Sequence, residues 1–172
     1  MPEQLTEEIW ITPEMPLGIR FRHIGVVDLD EFYRWLNRWF EFNSYTKANE
    51  DLEEWYMEKL STNYREIQFR WKGMNKKTPY FTYVIEVIAL LIGVSDVEVQ
   101  QGDRKVKLQK GDFELRLGAY LLKTPTTSNQ FLRWIYENFI LRNEIETHKD
   151  ELYEKFYKLH EEIREYFEHY IT

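Results

Sequence analysis

The sequence predicts one α+β domain: an antiparallel sheet of about six or seven strands with an N-terminal helix and a long C-terminal amphipathic helix packed against it. Three observations predict this class. Between residues 64 and 122, apolar and polar side chains alternate in runs separated by short turns. Residues 28–42 and 144–171 instead repeat their apolar side chains at helical spacing. All 172 residues, 1–172, fit within one domain of ordinary size.

The composition is that of a globular protein, with 43% hydrophobic and 31% charged residues. Cysteine is absent from the sequence, which excludes disulfides and thiolate metal sites. The N-terminus "MPEQLTEEIW" lacks the basic-then-apolar plan of a signal peptide. The longest apolar run, residues 80–94, contains Glu86 and is shorter than the roughly 20 residues of a membrane helix. We therefore expect a cytoplasmic protein without a transmembrane segment.

The N-terminal part divides into an arm, a strand and a helix. Residues 1–18 hold three of the five prolines, which predicts an irregular arm. The segment "IRFRHIGVV", residues 19–27, predicts a strand. Asp28 and Glu31 then form a capping-box pattern. The apolar stripe that follows predicts a helix lying on a sheet, and it consists of Leu29, Phe32, Tyr33, Leu36, Trp39 and Phe40.

Residues 19–123 supply the predicted sheet. The segment "LEEWYMEKL", residues 52–60, is ambiguous between helix and strand, and we assign it as a strand because the alternating "YREIQFRWKGM" follows after a short link. The segment "FTYVIEVIALLIGV" is apolar on both faces, which predicts a central strand. Three further strands, "VEVQ", "KVKLQ" and "FELRLGAYLLK", are predicted to form a meander with turns at "QGDR" and "KGD".

Residues 127–171 predict C-terminal helices. Thr127 and Gln130 form a second capping-box pattern, and two apolar stripes that fall out of phase predict a break or bend near Asn143. Apolar residues of the last segment are spaced alternately four and three apart, which suits a coiled-coil seam or a helix lying on its own sheet. We favour the second arrangement, and a protein partner or self-association through this helix is the alternative.

The order of elements resembles the helix-grip arrangement of START and Bet v 1-like proteins. The residues that carry the resemblance are "IRFRHIGVV", "DLDEFYRWLNRWF", the strands of 64–122 and "ELYEKFYKLHEEIREYFEHY". The resemblance implies a curved sheet around the C-terminal helix, with an apolar cavity between them. The chain departs from the pattern in its extra helix at 128–142 and in lacking the glycine-rich loop of Bet v 1-like proteins.

A second, local resemblance covers residues 94–123. The segment "VSDVEVQQGDRKVKLQKGDFELRLGAYLLK", with "FYRWLNRWF" before it and "FLRWIYENF" after it, is similar to a hairpin pattern of small uncharacterised archaeal proteins. This resemblance implies an archaeal-type cytoplasmic protein and brings no activity with it.

Glu86 is the ionisable residue in the most unusual predicted position. It lies in the apolar central strand, where burial disfavours a charged carboxylate and would make it a general acid or base. The other interpretation, which we favour, is a structural one: an ion pair with a cross-strand arginine such as Arg70 or Arg116, or an edge position in water.

The remaining chemistry-bearing patterns are weak. The four histidines are spaced unsuitably for a metal site. Basic residues lie beside aromatics at "FRWKGMNKK", but the alternation turns the rings to one face, away from a nucleic-acid partner. The sequence contains no phosphate-binding loop and no nucleophile motif. We therefore expect no metal, no cofactor and no nucleic-acid partner.

Three function hypotheses follow. The leading one is a non-catalytic binding or assembly module; the second is a helix-grip pocket for an apolar or aromatic small molecule; the third is an enzyme that uses Glu86. A cavity of at least ~300 Å³ between the last helix and the sheet would favour the pocket, and a filled interior with an exposed apolar strip would favour assembly. The predicted pocket lining is Phe32, Trp39, Trp71, Tyr83, Phe156 and Ile163.

Overall fold

A computed structural model describes residues 6–45, 52–124, 129–139 and 141–170. These residues form six strands and three helices, which confirms the α+β class with an antiparallel sheet and a long C-terminal helix. In chain order the elements are β1 Glu7–Trp10, β2 Ile19–Val27, α1 Leu29–Phe42, β3 Glu53–Leu60, β4 Arg65–Lys76, β5 Phe81–Gln101, β6 Arg104–Lys123, α2 Gln130–Phe139 and α3 Leu141–Glu168.

Strand β6 is the element to which the most strands attach. It pairs with β5 along nearly its whole length, and its other edge is shared end to end by β1 and β2. The order across the sheet is β1-β6-β5-β4-β3, with β2 also paired to β6, and each of these pairings is antiparallel. Strand β3 is thus an edge strand, and β4 is the only described strand that pairs with it.

One face of the sheet, here called the helix face, carries α1 and α3. Asp28 Oδ1 accepts a hydrogen bond from Glu31 N at 2.9 Å, which confirms the predicted cap of α1. Phe32 of α1 meets Phe167 of α3 edge to face, so the two helices share one aromatic core. The prediction that the last helix packs on its own sheet is confirmed. Helix α3 contributes five side chains to the core that are at most 1% exposed: Leu152, Phe156, Leu159, Ile163 and Phe167.

The predicted meander after the central strand is wrong. The segment "VEVQ" continues β5, and "KVKLQ" and "FELRLGAYLLK" belong to one strand, β6. The turn at "QGDR" is confirmed, with Gly102 at a φ of 58°. Gly111 of "KGD" instead lies where β5 bulges between Ile92 and Ser95, and a Cβ there would come within 3.1 Å of Ile92 O. This glycine allows close backbone approach inside the sheet rather than a chain reversal.

The irregular arm predicted for residues 1–18 contains strand β1, so that part of the prediction is wrong. Its four residues are too few to show an alternation pattern, and pairing with the end of β6 decides their conformation. Trp10 packs on Tyr120 with ring centroids 4.4 Å apart. A Cβ at Gly118 would lie 2.7 Å from Met15 Cγ, so the arm lies tightly against the sheet.

The starts of α2 and α3 differ in detail from the prediction. The predicted cap, Thr127, lies outside the described residues. Asn129 Oδ1 accepts a hydrogen bond from Phe131 N at 3.0 Å and so satisfies one free donor of the first turn. Helix α3 begins at Leu141 and runs unbroken through Asn143. The break predicted near that residue is therefore not found within the described residues 141–168.

Replacing Gly73 of β4 with alanine is expected to destabilise the fold. A Cβ at this position would clash with the ring of Phe40 and lie 2.8 Å from Tyr45 O. Overpacking of this kind costs about 1–3 kcal/mol in the free energy of unfolding, which urea denaturation would measure. Gly111→Ala is the comparison, because its nearest atom is 3.1 Å away. Equal losses in the two variants would contradict the close packing of Phe40 on β4.

Candidate functional site

Glu86 lies in β5 on the face of the sheet opposite to the helices, and it is 3% exposed. Its carboxylate accepts a hydrogen bond from Arg70 Nη2 at 2.8 Å, and Lys72 Nζ lies 3.7 Å from it. The predicted ion pair with Arg70 is therefore confirmed. Arg70 Nε also lies 3.0 Å from Glu54 Oε2, an ion-pair contact without hydrogen-bond geometry. Two cations stabilise the charged carboxylate, so the geometry favours a structural role for Glu86.

The six residues predicted to line a helix-grip pocket all lie in the core, between 0% and 8% exposed. Phe156 and Ile163 of α3 belong to the same buried cluster as Phe32, Trp39 and Trp71. Protein side chains therefore occupy the described interior between α3 and the sheet. Tyr83 also lines a cleft at the end of α1, and none of the other five residues lines that cleft or the groove between α1 and β3. Their role as ligand lining stays a prediction.

A groove of about 580 Å³ lies between α1 and the strands β3 and β4; we call it the α1–β3 groove. Its volume is in the range of small-molecule sites. Its charged lining consists of two acids and two arginines: Asp30, Glu53, Arg34 and Arg65. Its apolar and aromatic lining consists of Leu29, Tyr33, Tyr56, Ile67, Phe69 and Leu91.

Glu53, at the start of β3, is fixed in this groove by two neutral donors. Its Oε1 accepts hydrogen bonds from the Tyr33 hydroxyl and, at 3.3 Å, from Trp71 Nε1. Burial, and then the neighbouring Glu53 carboxylate, raise the pKa of Tyr33, which keeps the phenol protonated as a donor. Tyr33 also meets the rings of Phe69 and Trp71 edge to face. The carboxylate is thus anchored to the aromatic core.

Strand β3 borders the groove and forms the open edge of the sheet. Its register with β4 places Tyr56 opposite Phe69, on the helix face, and Trp55 opposite Arg70, on the other face. The exposed fractions of its large apolar side chains run from 41% to 76%, for Trp55, Tyr56, Met57 and Leu60. An exposed apolar edge of this kind is a template for pairing with another strand.

A second cleft, of about 630 Å³, lies where the end of α1 approaches β4, β5 and α3. The Tyr83 hydroxyl donates to Glu151 Oε2 at 2.7 Å and lies 2.6 Å from His148 Nδ1. The phenol oxygen thus contacts two side chains of α3. Burial, and then Glu151, raise the pKa of Tyr83. Lysines and glutamates both line this cleft, so its charge favours no single class of ligand.

Helix α2 presents a second exposed apolar surface. Its large side chains Phe131, Leu132, Trp134 and Phe139 are 55% to 73% exposed, and no described residue of this helix is buried. More than half of each of these four side chains is exposed. In exposure this surface is comparable with the apolar edge of β3.

The described residues include no group of three His, Asp or Glu side chains that could hold a metal ion. No helix in the described part of the chain has both the length and the apolar character to cross a membrane. Comparison of the chain with models of protein families, with curated proteins and with solved structures finds no match.

Sequence reasoning assigned Tyr33 to the buried stripe of α1 and residues 52–60 to a strand, but it did not bring the two together. It missed Glu53 and Tyr56 as site residues. A signal was present in "LEEWYMEKL", where two adjacent acids, Glu53 and Glu54, precede two adjacent rings, Trp55 and Tyr56, so that neither face of the strand is cleanly apolar. That lack of alternation is typical of a strand that no layer covers.

Replacing Arg70 with methionine is expected to lower the free energy of unfolding by about 2–3 kcal/mol, because it leaves a buried carboxylate with a weaker partner. Adding Glu86→Leu should restore most of the loss, since the uncompensated charge then disappears. Arg22→Met is the control: Arg22 and Asp112 form an exposed pair, so its effect should be much smaller. Urea denaturation measures all three variants, and a double variant no more stable than Arg70→Met would contradict the role given to Glu86.

Proposed function

We propose that the protein is a non-catalytic binding module that accepts an extended segment of a partner protein along the free edge of β3. The open, apolar edge of this strand is the observation that carries the proposal. Strand β3 has eight residues, enough to pair with an added strand of ordinary length. In such strand addition, backbone hydrogen bonds provide affinity and neighbouring pockets for alternate side chains provide specificity.

The glutamates of β3 do not shield its edge. Edge strands are commonly protected by charged side chains that discourage pairing. The glutamates of β3 instead have partners within their own sheet and helix: Glu53 accepts from Tyr33, Glu54 lies 3.0 Å from Arg70, and Glu58 lies 3.4 Å from Arg65. The apolar side chains between them therefore remain available for a partner.

The α1–β3 groove lies where an added strand would need a specificity pocket. Tyr56 of β3 lines the groove from the helix face of the sheet. Alternate side chains of a strand paired to β3 would point to that same face, because side chains of adjacent strands share the faces of a sheet. One of them would lie over the groove. The edge and the groove thus form one continuous recognition surface.

The alternative functions have less support. A helix-grip pocket needs space between α3 and the sheet, where the predicted lining residues instead pack into the core. An enzyme that uses Glu86 needs that carboxylate open to a substrate, whereas it is buried and paired. Self-association through the C-terminal helix would need its apolar stripe, which α3 already buries against its own sheet.

The test is whether peptides that bind the chain use β3. Dodecapeptides selected from a random display library would be measured by calorimetry against the wild type and against Trp55→Lys/Met57→Lys. We expect at least about tenfold weaker binding to this edge variant, because charged edge residues oppose pairing. Hydrogen exchange should show protection of the β3 amides in the complex.

Leu132→Lys/Trp134→Lys on α2 is the matched control, because it removes an apolar pair of similar exposure. Peptides that bind the edge variant as tightly as the wild type, or that lose affinity only for the α2 variant, would contradict the proposal. Light scattering of the free chain completes the test. A dimer that dissociates in the edge variant would show that a second copy, rather than a foreign segment, occupies β3.

A further inference from the structure

We propose that the α1–β3 groove is a binding site for an organic cation: an ammonium or guanidinium group on an apolar or aromatic body, with Glu53 as its counter-ion. The cation is either a free amine or a lysine or arginine side chain of a docked strand. The two sources share the same chemistry at Glu53. The inference goes beyond strand addition, because the groove exists whether or not β3 is paired.

The carboxylate of Glu53 lacks a counter-ion among the described residues. Its hydrogen-bond partners, Tyr33 and Trp71, are both neutral, and both donate to Oε1. In the part of the chain that the structure describes, Oε2 accepts no hydrogen bond and no lysine, arginine or histidine lies within ion-pair distance of either oxygen. A partly buried carboxylate is stabilised by a cation that is desolvated together with it. Oε2 is free to accept from such a ligand.

The arginines that line the groove are committed to other acids. Arg65 lies 3.4 Å from Glu58 and 3.3 Å from Asp96. Arg34 lies 3.8 Å from Glu31, one turn earlier on α1. None of these three acids lines the groove. Both arginines line the groove as well, but each has an acidic partner outside that lining, whereas Glu53 has only neutral donors, so Glu53 is the group that a ligand cation would meet there.

The aromatic lining suits the body of the ligand and its charge. Tyr33, Tyr56 and Phe69 all border the groove. Aromatic faces attract an ammonium or guanidinium group within about 6 Å of the ring centroid, and they also pack against apolar carbons. Burial, followed by the Glu58 carboxylate, raises the pKa of Tyr56, so this ring stays neutral. Leu29, Ile67 and Leu91 complete an apolar surface for the rest of the ligand.

Glu53→Gln isolates the charge. A glutamine carbonyl oxygen can still accept from Tyr33 and Trp71, so the groove keeps its shape while it loses its negative charge. Glu54→Gln is the matched control on the neighbouring residue, because Glu54 is paired with Arg70 and does not line the groove. Chemical denaturation of both variants verifies that the fold is retained.

The probes are 2-phenylethylamine, hexylamine and N-acetyl-lysine amide, with 2-phenylethanol as the uncharged partner of the first. The readout is the indole N–H signal of Trp71 in a ¹H–¹⁵N NMR titration, because this N–H donates to Glu53 itself. The indole of Trp134, exposed on α2, reports nonspecific binding. We expect at least one amine to shift the Trp71 signal saturably below about 10 mM while leaving Trp134 unchanged.

The same amine should bind Glu53→Gln at least about tenfold more weakly and Glu54→Gln unchanged, since a charge-assisted contact is lost only in the first. The inference is overturned if 2-phenylethanol binds as well as 2-phenylethylamine, if Glu53→Gln binds the amine as the wild type does, or if none of the amines shifts Trp71. Trp55→Lys/Met57→Lys separates this result from strand addition. In this edge variant, amine binding that persists while peptide binding fails would show that the cation site does not depend on strand addition. A wild type that binds the amine but no library peptide would leave the cation site standing and contradict only the proposed strand partner.

Discussion

The antiparallel pairing of β5 with β6 is the constraint on which the rest of the structure depends. Its register runs from Phe81 opposite Lys123 to Gln101 opposite Arg104, through strands of 21 and 20 residues. The other strands add to its two sides: β4 and then β3 on β5, and β1 with β2 on β6. Because the sheet grows outward from this hairpin and does not close, it ends at β3 on one side. The exposed edge is therefore a consequence of topology.

The aromatic helix α1 links this sheet to the candidate site. Most of its rings are core, since Phe32, Trp39 and Phe40 are buried against the helix face. Tyr33 lies at the border of that buried stripe, where its ring still packs on Phe69 and Trp71 while its hydroxyl reaches Glu53. A phenol suits this border, because it has an apolar body and a polar tip. The packing that stabilises the core thus also orients a carboxylate at the sheet edge.

Two carboxylates in the sheet show how their partners decide their roles. Glu86 is buried and lies between Arg70 and Lys72, which satisfy its charge within the protein. Glu53 is held by two neutral donors and keeps one oxygen unpaired among the described residues. A carboxylate whose counter-ions lie within the protein has a structural role. One that lacks counter-ions is stabilised electrostatically when it binds a cation. The ionisable residue most conspicuous in the sequence therefore has a structural partner, and an inconspicuous one carries the proposed site.

Local sequence patterns predicted the α+β class, the strand at 19–27 and the capped helix that follows it. They also predicted the C-terminal helix on its own sheet. These predictions succeeded because capping and periodicity are properties of neighbouring residues. Alternation also indicated a cross-strand arginine, Arg70 or Arg116, as the partner of Glu86, and the structure selects Arg70. Local pattern could not show that Gly111 lies inside a strand, since its conformation depends on the bulge in β5 across from it. Nor could it bring Tyr33 to Glu53, which are 20 residues apart and meet only because β3 packs beside β4 under α1. The tertiary structure alone decided that β3 became the open edge beside α1 and that Glu53 has no cation among the described residues, because both depend on which segments become neighbours after folding.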